Sequence, residues 1–114
     1  MHIEGGRSFT AVLADNSSAE ALAALLAKGD VVIRMEDYAR MEKVGPLGTD
    51  LPRNDRHTTT SAGDLILYLG NQFVIYYDSN TWSFTRLGKI EGVDRDELLS
   101  ALGKGDVTVR LSLD

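Results

Sequence analysis

The chain has 114 residues, 43% of them hydrophobic and 25% charged, which suits a single domain around a single core. It has no cysteine, which excludes a disulfide scaffold, a thiol nucleophile and a cysteine-ligated metal. A net charge of -5 repels phosphate backbones, so nucleic acid is not an expected partner.

The first segment, His2-Ile3-Glu4, then Gly5-Gly6, then Arg7 to Leu13, reads as a hairpin turning on its two glycines. Its opening MHIEGGRSF has no apolar signal-peptide core. No later stretch reaches the ~18 apolar residues of a membrane span, so the expectation is a cytoplasmic domain without membrane contact.

DNSSAEALAALLAKG is a helix with both ends marked. Asp15, Asn16, Ser17 and Ser18 all offer caps, and Ser17 to Glu20 has capping-box spacing. Leu22, Leu25 and Leu26 form its apolar stripe, and Lys28-Gly29 suits its end. DVVIRM then switches to a strand, and EDYARMEKV either extends it or starts another. Gly45 to Gly63 contains both prolines and many turn formers, without periodicity, and reads as a loop.

DLILYL, Gly70-Asn71 and QFVIYY form the clearest hairpin, with a two-residue turn expected. Both of its strands are apolar on both faces, so each face should be covered. DSNT turns the chain into the strand WSFTRLGKI, where Gly88 marks a bulge or bend. VDRDELLSALGKG is a second helix, with Asp94 and Glu97 at capping-box spacing and Gly103 or Gly105 as its stop. DVTVRLSL is the last strand. The sum is a mainly β fold: a closed barrel of about eight strands, with two short helices capping its ends.

KGDVVIRM and KGDVTVRL nearly repeat one another. Each shared residue has a local structural task, so the echo reads as helix-to-strand grammar used twice rather than as a catalytic motif.

The chain resembles the cyclophilin-like fold family, in its small bacterial domains of unknown function. The resemblance rests on Glu42-Lys43, Leu51-Pro52, Gly63-Asp64-Leu65, Leu67-Tyr68, Asn80-Thr81-Trp82, Thr85-Arg86-Leu87-Gly88 and Gly105-Asp106-Val107. It implies a cyclophilin-like β-barrel. Prolyl isomerases of that fold carry a Phe-His-Arg segment, which is missing here, although Ala62-Gly63-Asp64-Leu65 echoes a second isomerase motif. The resemblance also implies a flavodoxin-like redox partner for some relatives.

Candidate chemistry is sparse. Trp82, Phe84 and Arg86 share one strand face by period-two geometry, with Asn80 beside them. Aromatics next to an arginine suit a planar or anionic ligand, or a peptide carbonyl. Tyr76 on the hairpin and Arg53 in the proline-bearing loop complete the candidate ligand-binding set, with the Leu51–Thr60 loop expected over the pocket. Asp50, Asp55 and His57 match no closed metal site, so no metal or cofactor is expected. No nucleophile motif and no phosphate loop occurs, so no catalytic residue is assigned. The functional expectation is a binding module for a small molecule or short peptide. A noncanonical prolyl isomerase and a structural domain beside a redox partner are the alternatives.

Overall fold

A computed structural model describes residues 2–3 and 6–113. Along the chain run β1 (His2–Ile3), β2 (Ala11–Leu13), α1 (Ser17–Ala27), β3 (Val31–Tyr38), β4 (Glu42–Pro46), β5 (Arg56–Thr59), β6 (Asp64–Tyr68), β7 (Gln72–Tyr76), β8 (Thr81–Ile90), α2 (Arg95–Leu102) and β9 (Val107–Leu111). The sheet is antiparallel, in the order β1-β9-β3-β4-β7-β6-β8-β2, with β5 also paired to β8. The two echoing segments lie side by side: Val31 pairs with Leu111, Ile33 with Val109 and Met35 with Val107.

The closed barrel expected from the strand spacing is not formed. The sheet curls but stays open, because its path ends on β1 and β2, which do not pair with each other among the described residues. The turn expected at Gly5-Gly6 falls partly on residues 4–5, outside the described residues. β1 is paired to β9 and β2 to β8.

The curl is filled from one side. Ile33, Met35, Leu65, Leu67, Phe73, Ile75, Leu87, Val109 and Leu111 point to one face and pack with Leu22 and Leu26 of α1 and Leu98 and Leu102 of α2. The cap of α1 is Asn16, not Ser17: its side chain accepts from the N–H of Ala19 at 2.8 Å. Ser17 and Ser18 instead accept from Asn54 Nδ2 at 2.8 Å each, and Ser18 donates to the Pro52 carbonyl, which ties the proline-bearing loop to the helix. Asp94 caps α2 as its spacing predicts, accepting from the Glu97 N–H at 2.8 Å. Gly103, at φ 81°, ends that helix in a conformation costly for any side chain. Among the described residues no helix is long and apolar enough to cross a membrane.

Two readings of the middle of the chain change. The segment from Gly45 to Gly63 is not structureless: Gly45 and Pro46 end β4, and residues 56–59 form β5. β5 is polar and mostly exposed on both faces, so it carries no alternation to betray it. The β6–β7 turn is three residues, Leu69-Gly70-Asn71, because the ladder closes at Tyr68 and Gln72. Leu69 therefore leaves the strand and takes a left-handed φ of 56°.

Ala39 and Arg40, between β3 and β4, are also left-handed, at φ 53° and 55°. Two such residues under a Tyr38 carbonyl that accepts from Met41 N–H at 3.2 Å make the mirror-image turn that suits hairpin twist. Glycine is the residue this turn favours. Ala39→Gly is expected to stabilise the protein by about 0.5–1 kcal/mol, read as a raised thermal midpoint. A midpoint that falls would show that the alanine is not strained there.

Candidate functional site

The second face of the sheet is only partly covered. Ile66, Val74, Tyr76 and Phe84 form a small apolar cluster there, joined by Met41, Val44 and Tyr68. The ladders dictate this: Ile66 pairs with Val74, Val44 with Val74, and Glu42 with Tyr76, so their side chains share a face. Above the cluster opens a groove of about 600 Å³. Its lining comes from the β3–β4 turn (Tyr38, Met41, Glu42), the β6–β7 turn (Tyr68, Leu69, Asn71, Gln72) and the start of β8 with the turn before it (Asn80, Trp82, Phe84), with Val44 and Tyr76 between. The three left-handed non-glycine residues among the described residues all lie in the two turns that border this groove.

The sequence candidates separate cleanly. Trp82, Phe84, Asn80 and Tyr76 all line the groove. Trp82 is 59% exposed, while Phe84 is buried against Tyr76, with ring centroids 5.6 Å apart. Arg86 and Arg53 are not among the lining residues. Arg86 pairs in register with Ile66, just before a bulge in the β6–β8 ladder, and reaches Asp64 at 3.3 Å. Asp64 is 1% exposed; it also accepts from the Ser61 N–H at 2.9 Å, and its Oδ1 has Lys89 Nζ at 3.9 Å. Arg53 is held by Asp55 at 2.5 Å, and Asp55 accepts from Thr85 Oγ1 at 2.7 Å. None of residues 51–60 lines the groove; Leu51 is in the main core and its N–H bonds the Gly70 carbonyl at 2.8 Å.

The polar part of the groove is a short relay. Thr60 holds the Asn80 backbone twice: Thr60 N–H donates to the Asn80 carbonyl at 2.8 Å, and Asn80 N–H donates to Thr60 Oγ1 at 2.9 Å. Asn80 Nδ2 donates to the Tyr76 hydroxyl at 3.1 Å, and Tyr76 hydrogen-bonds Glu42. Burial pushes Glu42 above its ordinary value; the Tyr76 hydrogen bond opposes this, and the charge of Asp37 adds to it. Burial likewise pushes Tyr76 up to about 12, against the Asn80 hydrogen bond and with the charge of Glu42.

Glu42, Tyr38, Met41, Tyr68 and Leu69 were not among the sequence candidates. The signal that could have found Glu42 is a carboxylate between two apolar-flanked strands at the position facing Tyr76, but that position depends on register. The others lie in or beside the β3–β4 and β6–β7 turns, where strand alternation no longer marks a face.

The curled sheet with two helices on its inner face and an aromatic groove on its outer face defines a small β-rich domain of the cyclophilin type. The chain belongs to the cyclophilin-like family, whose model matches residues 2–112. Neither the curated proteins nor the solved structures contain a match to the chain.

Proposed function

We propose that this domain is a binding module whose outer groove takes a small molecule or a short peptide. The observation that carries this reading is the groove itself. It is about 600 Å³, within the range of small-molecule sites, and is lined mainly by aromatic and apolar side chains with a few convergent polar groups. Strained turns at its borders fit a site held in a fixed shape.

Prolyl isomerisation has less support. It needs a donor to polarise the prolyl amide, and the two candidate arginines are engaged by Asp64 and Asp55 outside the groove lining. A structural role beside a redox partner has no feature of its own in its favour.

Thermal-shift screening of metabolites and proline-bearing peptides tests the binding reading, because a ligand of the folded state raises its midpoint by mass action. Trp82→Ala removes an exposed groove wall and is expected to weaken any hit about tenfold, measured by titration calorimetry, while leaving the unliganded midpoint nearly unchanged. A panel without a single shift would sink the reading.

A further inference from the structure

Resting on the groove as the binding site, we propose that its ligand is a small organic cation, an alkylammonium or guanidinium with N–H groups, carried on an apolar or aromatic body. The juxtaposition behind this is a carboxylate set among π faces. Among the described residues Glu42 is the only charged side chain lining the groove, and it is 8% exposed. No lysine, arginine or histidine is among those lining residues.

A buried carboxylate without a cationic partner is costly to keep ionised. Among the described residues Glu42 has no ion pair within 4 Å, and Tyr76 is its hydrogen-bond partner. The neighbouring lysine cannot serve. Lys43 follows Glu42 in β4, so its side chain points through the opposite face, where it meets Asp37 at 3.1 Å. The groove therefore presents a carboxyl group without a cationic partner, and a ligand cation would supply one.

The walls suit the same guest. Tyr38, Tyr68 and Trp82 are among the lining residues, and an ammonium or guanidinium over an aromatic face is attracted by the ring quadrupole. Tyr38 and Trp82 are exposed, so a guest can reach them. Asn71 and Gln72 lie at one edge, where Gln72 Nε2 donates to Asn71 Oδ1 at 3.4 Å, and amide oxygens have a second lone pair to offer a donor. A cation with N–H donors can hydrogen-bond the carboxylate, whereas a quaternary ammonium has no donor for it. An anionic ligand would meet Glu42 as a like charge. The net charge of -5 also favours the approach of a cation.

Three probes of nearly equal shape separate the possibilities: phenethylammonium, 2-phenylethanol and 3-phenylpropionate. Binding to the intact chain is read by calorimetry and by the emission of Trp82, the only tryptophan. The expected result is phenethylammonium about tenfold tighter than the alcohol, with no binding of the anion. Glu42→Gln should bring amine and alcohol to within about threefold of each other. Equal affinity of the wild-type protein for alcohol and amine overturns the inference, whether or not the variant folds. So does a lysine-bearing peptide that binds where the free amine does not, because it moves the guest from a small molecule to a chain. If all three probes fail while an uncharged peptide or metabolite binds, the cation inference falls and the binding module stands. If nothing binds, both fall.

Discussion

Replacing Lys43 by alanine is expected to cost about 3–5 kcal/mol, the range for removing one partner of a buried ion pair. The Lys43 side chain is 0% exposed. Its ammonium lies 3.1 Å from Asp37 Oδ1, donates to the Gly105 carbonyl at 2.6 Å, and sits 5.9 Å from the centre of the Tyr77 ring. Tyr77 in turn donates its hydroxyl to Asp37. Alanine would strand Asp37 and the Gly105 carbonyl and leave a void the length of a lysine stem. It would also release the turn between α2 and β9 from β4. Urea unfolding measures the loss. Lys43→Met with Asp37→Asn should cost less than Lys43→Met alone, because no charge is left unpaired. A loss below about 1 kcal/mol for the alanine variant would show that the ion pair is solvated in solution.

The same pair sets an acid limit. Burial pushes the Asp37 carboxyl up, but hydrogen bonds from Tyr77 and Lys43 and the lysine charge outweigh it and hold the group below its ordinary 3.8. The resulting stability is fully present above that ordinary value. It is lost as the pH falls through the depressed folded value. In the Lys43→Ala protein this acid-side slope should be shallower.

Gly45→Ala is the other large effect, expected to cost about 1–3 kcal/mol or more through overpacking. A Cβ there would stand 2.8 Å from Ile33 Cγ2 and deep inside contact with the Arg34 carbonyl oxygen. The oxygen belongs to the backbone of β3 and has little room to retreat. The crowding arises because β3 changes neighbours: residues 31–35 pair with β9, and residues 36–38 pair with β4. At the crossover β3 lies close over β4, and only a glycine leaves room. The nearest obstacle is main chain rather than the yielding tip of a long side chain, so the variant should lose stability without gaining exposure of Trp82. Unfolding curves against a Gly48→Ala control, where space is open but φ is 89°, separate steric crowding from backbone strain.

Much of the architecture was legible because local chemistry and burial agree. The caps at Asp94 and Gly103, the leucine stripes of both helices and the alternation of Val107, Val109 and Leu111 each point to one element and one face. A third of the groove lining was legible for the same reason: Trp82 and Phe84 share a face by strand geometry, and Asn80 and Tyr76 are near them. The remainder depends on distant partners. Arg86 and Arg53 look equally available in a sequence, and only the fold brings Asp64 and Asp55 to them. Glu42 looks like an ordinary surface acid until register sets it against Tyr76. The openness of the sheet was hidden because strand spacing reports how many strands form, not whether the first and last meet.

β9 lies between β1 and β3, so the last strand of the sheet to be synthesised fills a gap whose two sides come from the beginning. Until it arrives, residues 31–35 of β3 have unpaired backbone groups along one edge, and Ile33 and Met35 lack their cover. Those contacts span most of the chain, and loop closure over such a distance is slow. The unfinished edge is β-branched and apolar, the kind that pairs with other chains. Folding of this domain is therefore completed from its C-terminal side, and a nascent chain stalled before Val107 is the species most exposed to aggregation.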